Sequence, residues 1–336
     1  MNRLIKCINE KETSDTPVWF MRQAGRYLPE FMEIRKENTD FIKLCLNSDL
    51  AKEITIQPIK RFDLDAAIIF SDILMIPYGL GQNVNFKKGF GPQLGELNID
   101  ILTKVNNKTF TENLKPVYDA IKKVRKEIDK KSLIGFAGAP WTLFLYMINK
   151  QSPKNNFNFN EIIKDKILTQ KLYKKLEEII YIHIENQVRA GATIIQIFDS
   201  WAGLLPEKNL KDYCYEPTKR IVEHVKKLNI PVICFPRGIG KNYSDFCSVV
   251  NPDCINIDYE VDPDWIKKKI KTSVIQGGLD PKVLLLKNKE DIKKEVEKYL
   301  NIFRDQPYIF NLGHGVLPET KPEIIKFVTS LVREHK

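Results

Sequence analysis

The chain has 336 residues, 43% of them hydrophobic and 29% charged, a globular composition with enough apolar material for a sizeable core. Its formal net charge is +10, from 53 basic and 43 acidic residues. The lysines are scattered among glutamates in stretches such as "YKKLEE" and "LKNKEDIKKEVEK" instead of forming a one-faced stripe with aromatics, which argues against a nucleic-acid or membrane-surface binder.

The N-terminal "MNRLIKCINEKETSD" has no apolar segment of the kind that directs secretion. The most apolar stretch, "LIGFAGAPWTLFLYMI" (133–148), is short for a membrane span and is broken by glycines and Pro140, so no membrane insertion is expected. Six cysteines without a CxxC pair suit reduced thiols and a cytoplasmic protein.

Eight short, β-branched apolar runs then follow in chain order: "PVWF" (17–20), "AAIIF" (66–70), "LIGFA" (133–137), "TIIQIF" (193–198), "PVICF" (231–235), "CINID" (254–258), "SVIQG" (273–277) and "YIFNL" (308–312). Helical periodicity fills the gaps. It is clearest over 161–191, where Ile163, Ile167, Leu172, Leu176, Ile179, Ile180 and Ile184 mark one face and Gly191 is a stop. The Asn- and Lys-rich segment 149–160 reads as a mobile loop. Apolar strands alternating with amphipathic helices imply buried parallel strands, and eight repeats predict a closed (β/α)8, TIM-type barrel, a single domain over 1–336. No G-x-G-x-x-G follows the first run to support a doubly wound sheet.

In such a barrel chemistry gathers in the loops after the strands. Those positions hold Arg22 and Arg26, Asp72, Trp141 and Tyr146, Asp199 and Ser200, Arg237 and Gly238, Asp258, Asp280, and His314 between two glycines. Arginine carries a planar charged fork suited to carboxylate or phosphate, so Arg22 and Arg26 around Gly25 suggest a grip on a polyanion. Asp72 has two readings, a helix cap or salt-bridge partner, and a partly desolvated anion aimed into the barrel mouth. Taken alone, Tyr146 and Ser200 read as packing or turn residues, and Trp141 and Trp201 as core. Gly313 and Gly315 would let backbone approach a ligand beside His314. The chain has no HExxH, His-x-His, Walker A or G-x-S-x-G sequence, so neither a metal nor a cofactor is expected.

Six stretches together, "PVWFMRQAGRYLPEF", "IIFSDIL", "GFAGAPWTL", "FDSWAG", "GGLDP" and "NLGHGVLP", resemble the uroporphyrinogen decarboxylase family from residue 17 to about residue 318. The resemblance implies a cofactor-free barrel enzyme of porphyrin and haem biosynthesis, and a homodimer. It would convert the four acetate side chains of uroporphyrinogen III to methyl groups, giving coproporphyrinogen III and carbon dioxide. Carried over by motif, the substrate-binding residues would be Arg22, Gln23, Ala24, Gly25, Arg26, Asp72, Tyr146, Ser200 and His314. Asp72, Arg26 and Tyr146 would be the catalytic ones, with the proton donor left among Arg26, Arg22, Tyr146 and a held water. One departure stands out: the family commonly has a glycine pair soon after "YM", where this chain reads "YMINKQSPKNNF". A corrinoid-linked methyltransferase of the same superfamily would want His-x-Cys on a late strand, and here Cys234 follows Val232 and Ile233.

Overall fold

The computed structural model describes residues 2–335, apart from 88, 129 and 154–156. Seven strands form one parallel sheet: β1 (Ala66–Ile68), β4 (Ser132–Gly138), β5 (Ile194–Asp199), β6 (Val232–Pro236), β7 (Cys254–Ile257), β8 (Val274–Gly277) and β9 (Tyr308–Ile309), each paired with the next. Every residue of β4, β6, β7 and β8 is buried, as expected for strands covered on both faces. All seven lie within or overlap runs read from the sequence.

The first run, "PVWF", closes the sheet without becoming a strand of its own. Val18 bridges Phe310 in parallel; the Trp19 N–H donates to Phe310 O at 3.3 Å, and the Phe310 N–H to Pro17 O at 2.8 Å. On its other side the Asp65 N–H donates to Val18 O at 2.9 Å, joining the run to the entry of β1. Pairing stops there for two reasons. Pro17 has no N–H to give, and the Asp65 carboxylate takes the Val18 N–H at 2.7 Å. The closed arrangement is a (β/α)8 barrel.

An antiparallel hairpin lies outside the barrel sheet: β2 (Val84–Lys87) and β3 (Gly91–Leu94), with Val84 opposite Leu94. Gly89 in its turn and Gly91 at the start of β3 take positive φ. It was not anticipated from the sequence. Part of the 149–160 segment is tied to it: Gln151 bridges Gln93, and the Leu94 N–H donates to Lys150 O at 2.7 Å. Residues 154–156 of that segment lie outside the described residues.

The helix expected over 161–191 is two helices, Phe159–Ile162 and Lys166–Ala190. Asp165 explains the break, because its side chain caps the longer helix by accepting the Leu168 N–H at 2.9 Å. Ile167 consequently falls in the first turn, 68% exposed and off the buried face. Gly191 ends the helix in the left-handed region as expected.

The barrel interior carries amides as well as aliphatic side chains. Gln276 on β8 accepts from the Trp19 indole at 2.9 Å and donates to Asn256 on β7 at 2.8 Å and to Gln196 on β5 at 3.3 Å. Strands β5 and β8 are not neighbours, so this network crosses the inside of the barrel. Each amide is fully buried, and satisfied networks of this kind fix a unique packing. One continuous apolar core runs from Leu4 to Val332.

Candidate active site

The loop after the first run is anchored by backbone and by one buried amide. The Met21 N–H donates to Asn311 Oδ1 at 3.0 Å, and Met21 O accepts the Val316 N–H at 2.8 Å. Gln23 is fully buried: its Oε1 accepts the Phe20 N–H at 3.0 Å and its Nε2 donates to Ala66 O at 2.9 Å. Its carbonyl accepts the Tyr27 hydroxyl at 2.8 Å. The Gln23 side chain is thus fully engaged in joining this loop to β1 and is closed to solvent. Ala24 and Gly25 are half-buried, and a β-carbon on Gly25 would sit 2.9 Å from Arg22 O. Arg22 adopts φ +61°, a left-handed conformation uncommon for a side-chain-bearing residue, and the bonds on both sides hold it there.

The loop leaves two guanidinium groups free. Eleven arginines occur in the chain. Eight of them donate a hydrogen bond to, or pair with, a described residue: Arg3, Arg35, Arg61, Arg125, Arg189, Arg220, Arg304 and Arg333. Among the described residues Arg22, Arg26 and Arg237 do neither, and all three follow the apolar runs at one end of the barrel. Arg22 and Arg26 are solvent-accessible. Arg22 nevertheless has protein on most sides. That crowding, with the charges of Arg26 and Arg237, pushes its proton affinity down, and Asp72 and Tyr146 push it back up.

Asp72 combines the two roles weighed from sequence. Its Oδ1 accepts the Leu74 N–H at 2.9 Å, a turn-capping bond just before the helix Met75–Gly79. Burial raises its carboxyl to about 6, against the lowering effects of that N–H and of Arg22. It is therefore a desolvated carboxylate that is largely ionised at neutral pH.

Tyr146, buried in the helix Pro140–Asn149, lies within electrostatic reach of both Asp72 and Arg22. Burial raises its phenol, opposed by Ser152 and the Trp201 indole, whose ring meets it edge-on at 6.1 Å between centroids. Ser200 is half-buried at the end of β5, and its hydroxyl is not engaged by any described residue. The corner around it is fixed from below. The Thr142 hydroxyl donates to Asp199 at 2.6 Å and accepts the Trp201 N–H at 3.1 Å, and burial raises the Asp199 carboxyl to about 6.

His314 is half-buried, and burial, Arg22 and Arg237 together lower it to about 4, so it is neutral at neutral pH. Its glycine neighbours have different partners. A β-carbon on Gly313 would lie 2.4 Å from the Tyr259 backbone nitrogen, and one on Gly315 would lie 2.3 Å from Arg22 Cδ.

Residues that follow five separate apolar runs, four sets in loops and Tyr146 in a helix, thus lie toward one rim: two arginines, an ionised carboxylate, a protonated phenol, a hydroxyl and a neutral imidazole. Such a set has the chemistry to bind anions and to oppose a positive charge near Asp72. The sequence marks Arg237 only as a strand-end residue; its lack of a partner among the described residues is a feature of the three-dimensional structure. Cys234, where a zinc thiolate would be needed for the methyltransferase reading, is buried, and its thiol is pushed well above its ordinary value. Among the described residues no three His, Cys, Asp or Glu side chains gather to hold a metal.

Residues 1–335 match the family model described as uroporphyrinogen decarboxylase (URO-D). The chain is 45% identical over 325 residues to the uroporphyrinogen decarboxylase of Rickettsia bellii, covering 95% of each chain. It is 42% identical over 330 residues to that of Rickettsia felis, covering 96% of this chain and 94% of the other. Among solved structures it superposes on a methyltransferase from Methanosarcina mazei with a TM-score of 0.75 at 16% identity, over 99% of this chain and 97% of that one. A putative vitamin-B12 independent methionine synthase from Listeria monocytogenes superposes at 0.54 and 14% identity, over 96% of each chain. At these identities the structural likeness speaks for the fold alone.

Proposed function

From the premise that the chain belongs to the uroporphyrinogen decarboxylase family, we propose that its rim removes the four acetate carboxylates of uroporphyrinogen III, giving coproporphyrinogen III and carbon dioxide. The observation that carries this reading is the pairing of unengaged guanidinium groups, Arg22 and Arg26, with a desolvated carboxylate, Asp72, at one end of the barrel. The substrate bears eight carboxylates, and bidentate charge-assisted bonds from the two arginines suit them.

Loss of carbon dioxide leaves the electrons of the broken C–C bond on the side-chain methylene carbon that stays attached to the ring, and an electron sink must take them. A pyrrole ring protonated at carbon is such a sink, because it is cationic before the C–C bond breaks; the ring gives this proton up again after the methylene carbon is protonated, so each cycle takes up one proton and releases one carbon dioxide. Asp72, ionised at neutral pH, then opposes a charge present only along the reaction path. At ~4 Å and an effective dielectric near 20 the contact amounts to about 4 kcal/mol before desolvation, an upper bound of roughly a thousandfold in rate. The proton that replaces carbon dioxide comes from the group formed by Arg26, Arg22, Tyr146 and a water they hold. Ser200 and neutral His314 line the same cleft as hydrogen-bonding partners. Ala24 and Gly25 offer backbone to the substrate, and Gln23 serves the set by holding the loop in place.

The same reading makes the enzyme cofactor-independent, a single domain over 1–336, cytoplasmic and homodimeric. Its support is the continuous core, six buried unpaired cysteines, the absence among described residues of a helix long and apolar enough to cross a membrane, and the family resemblance. The test is incubation with reduced uroporphyrinogen and separation of the oxidised products by carboxylate number. Hepta-, hexa-, penta- and tetracarboxylate species support the reading, and an unchanged octacarboxylate refutes it.

A further inference from the structure

Arg237 shares the situation of Arg22 and Arg26, a strand-end guanidinium without a partner among the described residues. It follows β6 directly, and its backbone is held on both sides: its N–H donates to Asp199 O at 3.1 Å, and its carbonyl accepts the Gly203 N–H at 2.9 Å. Gly238, at φ +81°, donates its N–H to the buried carboxylate of Asp258 at 2.7 Å. The two loops interlock closely enough that a β-carbon on Gly203 would lie 2.5 Å from Gly238 O. The Arg237 backbone is therefore tied on both sides.

Its side chain is half-buried and, among the described residues, has no hydrogen-bond or ion-pair partner. Arg22 and His314 both hold their protons less tightly because of its charge, and the Asp258 carboxylate nearby is taken up by the Gly238 N–H and the Tyr243 hydroxyl. An arginine with a purely structural role would be paired, as eight of the eleven are. A partly desolvated guanidinium next to another cation is unfavourable until an anion arrives.

We propose that Arg237 is a specificity-determining residue that receives one side-chain carboxylate of the bound tetrapyrrole, beyond those taken by Arg22 and Arg26. This rests on the tetrapyrrole reading of the site. The fixed backbone and free side chain suit a bidentate bond to a carboxylate on a rigid macrocycle, since little ordering remains to be done on binding.

The test separates binding from turnover. Uroporphyrin, the non-reacting oxidised octacarboxylate, is titrated by fluorescence into wild-type, Arg237→Gln and Arg237→Lys protein, with Tm recorded for each. The expected result is a Kd raised about tenfold or more in Arg237→Gln at unchanged Tm, with only partial recovery in Arg237→Lys. A Kd for Arg237→Gln within about twofold of wild type, smaller than the loss of a charge-assisted bond brings, overturns the proposal. Should that variant fail to fold, wild-type protein is modified with phenylglyoxal and mapped by peptide mass. Protection of Arg237 by saturating uroporphyrin supports the assignment, and an unchanged modification rate overturns it. Turnover of uroporphyrinogen by the wild type is scored separately. Arg237-dependent binding without turnover leaves the carboxylate receptor standing and defeats the decarboxylase reading; turnover with Arg237-independent binding does the reverse.

Discussion

Gly315 lies directly under the side chain of Arg22: a β-carbon on the glycine would come 2.3 Å from Arg22 Cδ, 2.6 Å from Cγ and 3.0 Å from Nε. The last loop of the barrel thus forms the bed on which the first loop's arginine rests. The Val316 N–H, one residue on, bonds Met21 O at 2.8 Å and joins the same two loops.

Gly315→Ala should therefore displace Arg22, because the obstacle is its side chain at Cγ, Cδ and Nε and not backbone. Expected are a kcat/KM at least ~10-fold lower and a Tm close to wild type. Gly313→Ala meets backbone instead, at the Tyr259 nitrogen, which has no room to yield. It should cost about 1–3 kcal/mol of stability, read as a lower Cm in urea.

Arg22→Lys and Arg26→Lys test whether the forks matter. Lysine keeps the charge but cannot make two parallel bonds to one carboxylate, so each variant should lose about tenfold or more in kcat/KM. Wild-type kcat/KM in both would mean that a point charge is enough at these positions. Arg22→Lys keeps the φ +61° backbone strain, so its Tm reports on packing alone.

Asp72→Asn separates stability from catalysis. Asparagine can still accept the Leu74 N–H, so the turn is retained. Burial raises the native carboxyl from 3.8 to about 6, which means the folded state holds its proton more tightly than the unfolded chain does. The penalty for carrying this charge is absent below about pH 4, grows as pH rises toward 6, and is complete above, where it is roughly 3 kcal/mol. The Asn variant should thus be no less stable than wild type at pH 7–8 and should lose that advantage near pH 4. Its kcat should fall ~10²-fold, since screening takes back part of the Coulomb gain. A stable variant with near-normal turnover would remove Asp72 from the mechanism.

The pH–rate profile gives a further check. Two carboxyls near this rim are raised to about 6, Asp72 and Asp199, and His314 is lowered to about 4. If activity requires Asp72 ionised, kcat/KM, which reports the free enzyme, should drop on the acid side with an apparent pKa near 6, to about a tenth of its plateau at pH 5. That limb should persist in Asp199→Asn and vanish in Asp72→Asn. The opposite pattern would assign it to the buried carboxyl beneath Ser200.

Much of the barrel was legible because a buried parallel strand needs a continuous apolar run, and seven such runs contain or overlap strands. The eighth reads equally apolar, yet Pro17 and the Asp65 carboxylate remove the donors that would have extended its ladder. The hairpin at 84–94 escaped because its strands are only four residues long: Val84–Lys87 alternates apolar and polar, but Gly91–Leu94 opens with a glycine and a proline that speak for a turn. Ile167 looked like a core position by spacing, but periodicity does not register a cap, and Asp165 starts the helix only one residue before it. At the site, the strand-end rule located Arg22, Asp72, Ser200 and His314. Only the three-dimensional bonding shows that Gln23 is closed off and that Arg237 is unpaired.

The central claim is that this rim, working through its own side chains, decarboxylates uroporphyrinogen four times. The direct measurement is the carbon dioxide released per uroporphyrinogen consumed, on protein taken through exhaustive chelation and dialysis. Four molecules of carbon dioxide for each macrocycle, with coproporphyrinogen as the end product, is the expected result. No carbon dioxide from the stripped protein, or release only after zinc, pyridoxal phosphate or a nucleotide is added back, would contradict it.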